Sequence, residues 1–499
     1  MSNNQSGTIW SQFLTLITVF FFWGFVAASN DILIPVFKEN LHLSQTQSQM
    51  VSFAFYTAYT VGSLIYFFIS KMRGGDILNK IGYKNGIAIG LVISALGALM
   101  FIPAANTHSF NLFISGLFIV GLGFSLQQTA ANPLAIVMGD PKLGSQRLSM
   151  AGGVNNFGTT IGPLLVNFAI FGSISAATAQ ADITSIKIPY LILGAAFILV
   201  ALLIKFSKVP NEIDLDQMAE NEAEGDSSKV RHLSGPMKYP QLSLGMLAIF
   251  VYVGVEVSTA SNLPEFMKQH IAGPDGGVFP TDKIAPYISL YWASLMMGRW
   301  TAASEAFDLS MGMKRMLRYF MPYIAFGVFL LVNKIANHDI TPFYFYVFII
   351  AAMVAGNIMS KGNPARQLLI YSCLGIIALI AGMLADGWVS TFAFISVGLF
   401  CSTLWPCIFT LAIAGLGKHT NEASLLIMMI MGGAFVSLFQ GYLSDHVTGI
   451  QYSYIAGVLC FAYLAFYAIR TKNILKAQGI DYDHGVVSGG IKQSIWRSR

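Results

Sequence analysis

Residues 12–37 read QFLTLITVFFFWGFVAASNDILIPVF, and in that whole run Asp31 is the one charged side chain. A helix needs roughly 18 to 25 apolar residues to cross the hydrocarbon of a bilayer. Windows of this kind recur almost to the C-terminus. Of the 499 residues, 55% are hydrophobic and 11% charged, against roughly a quarter charged in an ordinary soluble domain. No water-soluble fold of this length could hide so much apolar surface, so the bilayer is the solvent for most of the chain.

The segment before this run, Met1 to Trp10, is polar and carries no Lys or Arg. It lacks the basic n-region of a cleavable signal peptide, and the first apolar stretch is expected to be a retained helix. Cys373, Cys401, Cys407 and Cys460 sit in apolar windows without metal-ligand spacing and read as small core residues. The net charge of +5 does not point to nucleic acid, because membrane proteins keep Lys and Arg in cytoplasmic loops. There is no His-Glu-x-x-His, no Gly-x-Ser-x-Gly and no phosphate loop, so neither an enzyme nor a metal or cofactor site is expected.

Six spans are expected in the first half: Gln12 to Phe37, Gln49 to Ser70, Gly86 to Pro103, Phe110 to Met138, Leu148 to Phe171 and Pro189 to Phe206. Residues 207–241 then change character. Glu212, Asp214, Asp216, Glu220, Glu222, Glu224 and Asp226 precede Lys229, Arg231 and Lys238, with too little apolar content to fold alone. This stretch is expected to be a solvated linker. The second half holds eight expected spans: Leu242 to Leu263, Tyr287 to Phe307, Tyr319 to Ile335, Thr341 to Met359, Gln367 to Leu384, Val389 to Leu416, Glu422 to Leu443 and Tyr452 to Ile469. That makes about fourteen spans in an all-α membrane fold.

Loop charge orients them. Lys71, Arg73, Lys80 and Lys84 follow the second span and Lys142 and Arg147 the fourth. Lys314, Arg315, Arg318, Lys361, Arg366 and Lys418 continue on the same side. Both termini and the linker are therefore expected in the cytoplasm. Faint echoes between the halves suggest a duplicated carrier: Ser29-Asn30 then Pro35 against Ser261-Asn262 then Pro264, and Asn132-Pro133 before Gly139 against Trp405-Pro406 before Gly417. Removing one helix pair between about Tyr319 and Met359 leaves six plus six. The expected organisation is a six-helix bundle at 1–206, a linker at 207–241, a second bundle with the inserted pair at 242–475 and a tail at 476–499.

Asp31 and Glu256 are the acids that stand out within the spans. A carboxylate in hydrocarbon costs at least a few kcal/mol, so it either faces a cavity on an ion path or pairs with interhelical donors. Proton coupling is the functional reading of both. Trp23, Ala27, Asp31 and Pro35 recur every four residues and suggest one stripe turned toward a cavity. Gln127-Gln128-Thr129-Ala130-Ala131-Asn132-Pro133 is a dense polar cluster, with Gln128 and Asn132 on one face. Asn155 and Asn156 follow on the fifth span among Gly152, Gly153 and Gly158. Carboxamides donate and accept, which suits a neutral polyhydroxylated ligand, or else glues helices together. Trp292 and Trp405 read as lipid-facing or core by default, although Trp405 beside Pro406 has the position for stacking on a sugar ring. Arg299 reads as a cytoplasmic-side anchor or gate.

The loop Gly75-Asp76-Ile77-Leu78-Asn79-Lys80-Ile81-Gly82-Tyr83-Lys84 has the spacing of the major facilitator signature, with Asn79, Lys80 and Tyr83 as departures. The chain further resembles the fucose, galactose and glucose proton symporters of that superfamily. The matching segments are Asn30-Asp31-Ile32-Leu33-Ile34-Pro35, Thr129-Ala130-Ala131-Asn132-Pro133, Arg147-Leu148 with Asn155-Asn156-Phe157-Gly158, Tyr252-Val253-Gly254, Gly298-Arg299, and Trp405-Pro406-Cys407-Ile408-Phe409 with Leu416-Gly417. The resemblance implies a major facilitator fold and a central hexose site between two halves. It also implies proton-driven uptake across a bacterial inner membrane by a monomer. It maps the coupling acid onto Asp31 and sugar contacts onto Asn155 and the fourth-span face, giving an expected site of Asn30, Gln128, Asn132, Asn155, Asn156 and Trp405. This chain departs from the family in having Gln128 where a Glu is usual, and Gly152 where the fucose permease has Gln. Glu256 as a replacement acid, coupling by Asp31 alone, and a sodium ion all stay open. Drug efflux is the competing transport reading, although its fourteen-span carriers place the extra pair between the halves.

Overall fold

The computed structural model describes residues 10–72, 77–138, 144–171, 186–212, 239–273, 276–304, 310–414 and 429–480. Among these residues the chain is helical, apart from a lone bridge between Ala272 and Val278. The first half supplies α1 (Trp10–Leu41), α2 (Met50–Met72), α3 (Tyr83–Leu99, continuing as Phe101–Thr107), α4 (Phe110–Val137), α5 (Gly144–Phe171) and α6 (Lys187–Phe206). The second half begins with α7 (Pro240–His270), α8 (Ala285–Ser304), α9 (Met311–Ile335) and α10 (Tyr346–Ser360). It continues with α11 (Pro364–Leu384), α12 (Gly387–Cys401, resuming as Leu404–Ile413), α13 (Gly432–Leu443) and α14 (Ile455–Ala477). Of the linker expected at 207–241, residues 213–238 are not described, while Pro240 and Gln241 already belong to α7; Gly75 and Asp76 of the signature loop fall at 73–76. Both stretches lie outside the described residues, as does the tail after 480.

Local chemistry sets the ends. Ser109 accepts a hydrogen bond from the Leu112 N–H to start α4, and Ser310 does the same for α9 through Met313. Asn363 caps α11 just before Pro364, whose missing N–H has no cost in a first turn. Helices α1 and α7 contain Pro35 and Pro264 and run on to Leu41 and His270, beyond the expected ends at Phe37 and Leu263. Neighbouring helices tolerate an internal proline at membrane depth. Gly82 takes φ 89°, and a Cβ there would lie 2.0 Å from the Asn211 amide nitrogen. That glycine lets the loop after α2 dock on the segment after α6, where Tyr83 N–H donates to the Asn211 carbonyl.

Ten helices are long and apolar enough to cross a membrane, counting described residues only. Of the labelled helices, α2, α5, α8 and α13 fall outside that set. These same four pair across the molecule, α5 with α8 and α2 with α13. For α5 and α8 the reason is polarity, since asparagines, threonines, serines and an arginine replace aliphatic positions. A helix that faces protein on most sides has no need of a lipid-soluble surface. Within the first half α1 packs on α5, α2 and α3 on α4, and α3 on α6. The second half repeats this with α7 on α13, α8 and α11 on α12, and α11 on α14. Glycine permits close approaches among these: a Cβ on Gly432 of α13 would lie 1.8 Å from the Phe250 carbonyl of α7, and one on Gly24 of α1 1.9 Å from the Asn155 carbonyl of α5.

Candidate functional site

Helix α8 carries the seam. Ser289 Oγ donates to the Thr160 carbonyl at 2.7 Å, and Trp292 Nε1 to Asp31 Oδ2 at 2.8 Å. Arg299 Nη1 donates to Asn156 Oδ1 at 2.7 Å, and Trp300 Nε1 to the Gly153 carbonyl at 3.0 Å. At 3.6 residues per turn these four side chains fall within about 100° of arc. In these four contacts α8 donates and the first half accepts, while on the same face Thr160 Oγ1 donates the other way, to Met296 Sδ at 3.7 Å.

Asp31 is 3% exposed, Trp292 4% and Glu256 9%. Arg299 Nη2 lies 3.5 Å from Glu256 Oε1 and donates to the Tyr252 hydroxyl at 3.3 Å. At 3.5 Å the Arg299–Glu256 pair is an ion contact, looser than a good charge-assisted hydrogen bond. The guanidinium is held more closely by the opposite half than by the carboxylate of its own. Tyr56 lies within electrostatic reach of both Asp31 and Glu256. Two acids and one guanidinium thus share a largely buried seam, where a charge lacking its partner is costly.

The other expected site residues divide. Asn156 is buried and joins the seam through Arg299. Asn155 donates to the Phe20 carbonyl at 3.1 Å, fastening α5 to α1. Gln128 is half-buried and donates to the Tyr59 hydroxyl at 3.4 Å. Asn132 is half-buried on the same helix. Asn30 is buried, and neither its side-chain oxygen nor its nitrogen has a hydrogen-bond partner. Trp405 is half-buried and stacks on Phe409 with ring centres 5.1 Å apart.

Trp23 does not share Asp31's direction. Its Nε1 donates to Gln127 Oε1 at 2.9 Å inside the first half, and Gln127 passes the chain on to Ser94. Steps of four overshoot a 3.6-residue turn by 40°, so eight residues rotate the stripe by about 80°. Composition did not give the partners of Trp292 and Arg299: of its two readings, lipid-facing or core, the tryptophan takes the buried one, on the seam, and the arginine, read as an anchor or gate, bridges the halves.

Beyond Asp31, where α1 and α7 both finish, the halves are latched. Lys38 Nζ lies 2.7 Å from Glu265 Oε1, and Lys268 pairs with Glu39, which also accepts from Thr281 at 2.6 Å. Gln45 Nε2 donates to Asn262 Oδ1 at 2.9 Å, and Ser261 Oγ to Gln49 Oε1 at 2.9 Å. Asp445 accepts from the backbone N–H groups of Gln45 and Thr46 and from the Thr46 hydroxyl. Partial burial pushes the Asp445 carboxyl up, but those Thr46 and Gln45 hydrogen bonds, with Lys38 nearby, hold it below the ordinary carboxylate range. This end of the seam is closed. A cavity of about 380 Å³ lies elsewhere, in an apolar flank between α2 and α4 lined by Phe53, Ile114 and Phe118.

Two helical halves that repeat one packing scheme and meet over buried, paired charges define a membrane-embedded transporter, not an enzyme. The chain belongs to the Major Facilitator Superfamily, whose sequence profile matches residues 13–432. A glucose/galactose transporter of Brucella abortus biovar 1 (strain 9-941) is 32% identical over 91% of this chain and 92% of its own length. The L-fucose-proton symporter of Escherichia coli (strain K12) is 27% identical over 93% and 94%. A crystal structure of the E. coli fucose:proton symporter superposes with a TM-score of 0.60 at 25% identity, covering 92% of this chain and 98% of that one.

Proposed function

We propose that the protein imports a hexose or related monosaccharide by proton symport with alternating access. The observation that carries this reading is Asp31, a buried acid on one half held by Trp292 on the other, because a proton arriving there changes a bond between the two bodies that must rock. The likeness to transporters named for glucose, galactose and fucose supports the substrate class. Asp31 carries the proton, and Glu256, paired with Arg299, is the second coupling acid in place of the missing fourth-span Glu. Asn30, Gln128, Asn132, Asn155, Asn156 and Trp405 form the sugar contacts, the unpartnered amide of Asn30 being the group with free hydrogen-bonding capacity.

The chain sits in a bacterial inner membrane as a monomer with both termini and the 207–241 linker in the cytoplasm. The latched mouth where α1 and α7 end is then external, and the protein is closed to the outside. Bundles at 1–206 and 242–475 form the two halves. Helices α9 and α10 are an inserted pair, making fourteen spans: α7, α8 and α11–α14 already reproduce the packing of α1–α6, while α9 leans on α8 and α10 on α11.

Uptake of labelled hexoses into vesicles, with and without an imposed pH gradient, tests the function. Accumulation that follows the pH gradient supports symport. Accumulation that follows a sodium gradient instead, or export of lipophilic cations without sugar uptake, rejects it.

A further inference from the structure

Helix α8 meets the first half with one side and the α9/α10 pair with the other. Ser294 is two residues past Trp292, about 200° around the helix and about 3 Å along it, so it lies behind the indole at nearly the same depth. Its Oγ donates to the Leu290 carbonyl at 2.7 Å, and with its one hydrogen used there it accepts from the Tyr346 hydroxyl of α10 at 2.8 Å. Both residues are fully buried. A hydroxyl that bonds back to the carbonyl four residues earlier competes with the helix ladder and often bends the helix. The place where α8 is loosened in this way is thus the place where Trp292 reaches Asp31 at 2.8 Å.

The support behind Ser294 is firm. The Tyr346 ring packs with Phe326 of α9, 6.1 Å between centres, and the Tyr371 hydroxyl of α11 pins α10 further along by donating to the Met353 carbonyl at 2.9 Å. Gly398 lets α12 close the flank: a Cβ there would lie 2.5 Å from the Tyr291 carbonyl and 3.2 Å from the Ser294 Cβ. Tyr291 itself donates to the Glu256 carbonyl at 2.7 Å. Between Tyr291 and Ser294, α8 is therefore held by α7, α1 and α10 at once.

We propose that Tyr346 is a positioning residue for proton coupling: by holding Ser294 it fixes the roll of α8, so that the Trp292 N–H stays aimed at Asp31. Side chains reach about 6 Å from a helix axis, so a roll of about 10° displaces the indole N–H by about 1 Å, enough to break the bond. The inference rests on the reading above, in which Asp31 carries the proton. It gives the α9/α10 pair a task, bracing α8 from behind.

Tyr346→Phe keeps the ring and removes the hydroxyl. The test labels a reporter cysteine at Ser261, which faces Gln49 across the closed mouth, in nanodiscs open to the reagent on both sides, with the exposed Cys373 replaced by serine. Tyr346→Phe should raise the labelling rate about fivefold, the factor one neutral buried hydrogen bond supplies. It should add nothing in a Trp292→Phe background, because it acts through the indole. Tyr371→Phe removes an equally buried hydroxyl bond, between α11 and α10, and should leave the rate unchanged. No rise in Tyr346→Phe, a rise that multiplies with that of Trp292→Phe, or an equal rise in Tyr371→Phe would overturn the brace. In vesicles, Tyr346→Phe should lower gradient-driven sugar accumulation more than counterflow exchange; an equal loss of both would mark a merely structural role. The labelling needs neither sugar nor gradient, so its failure rejects the brace alone, whereas the expected labelling together with full accumulation in Asp31→Asn would reject the coupling reading.

Discussion

Trp292 and Asp31, 261 positions apart in the chain, meet at 2.8 Å across the two halves, the indole N–H donating to the carboxylate. The pair lies deeper than the latch formed by Lys38, Glu39, Glu265 and Lys268. A change in the charge of Asp31 therefore reaches the relative position of the halves directly. Replacing Trp292 by Phe keeps an aromatic ring but removes the donor. A hydrogen bond to a charged group contributes about 1.5–3 kcal/mol, so the externally closed state should lose stability by roughly that amount. Cysteine accessibility at the external mouth should rise about tenfold or more in Trp292→Phe; unchanged accessibility would mean the bond is incidental.

Glu256 and Arg299 predict a thermodynamic cycle. Either Glu256→Gln or Arg299→Gln alone leaves a buried charge unpaired, at a cost of about 3–5 kcal/mol. The double variant removes both charges and should recover most of the loss in thermal stability. Additive losses would show that the 3.5 Å contact is not an interaction.

The class of fold was legible because membrane helices advertise themselves by length and by missing charge, and Asp31 stood out for the same reason. Asn156 was legible as a polar residue in the right helix. What the sequence hid was partnership. That Trp292 points at Asp31 follows from which face of α8 meets α5 and α1, and the 3.6-residue period gives a face without saying what it faces. The two tryptophans at 292 and 300 and the arginine at 299 on one arc of a helix too polar for lipid were the available signal. Trp23 misled for a geometric reason, the 80° drift over eight residues. The end of α7 ran long because Pro264, just past the expected end at Leu263, lies inside a supported helix and does not stop it.

The latch should behave as paired charges with a definite pH range. Glu265→Lys alone sets two cations at the mouth and should favour opening by about 1 kcal/mol, roughly fivefold, while Lys38→Glu combined with Glu265→Lys should restore closure. Asp445 has a depressed carboxyl, so its contribution is fully present above the ordinary value of about 3.9 and is lost only as pH falls through its lower folded value. Asp445→Asn should therefore loosen closure at neutral pH yet leave the slope of transport between about pH 5 and 8 unchanged. A changed slope there would place proton sensing in the latch.

The central claim is that Asp31 carries the coupling proton. A neutral carboxyl is far cheaper to bury than a carboxylate, so protonation should accompany passage through the occluded state, and Asn at this position mimics the protonated form permanently. The most direct measurement is sugar accumulation in vesicles under an imposed pH gradient, compared with counterflow exchange, for wild type, Asp31→Asn and the Asp31→Asn, Glu256→Gln double variant. The account predicts that Asp31→Asn abolishes accumulation while exchange stays measurable. Full gradient-driven accumulation in the double variant would contradict it.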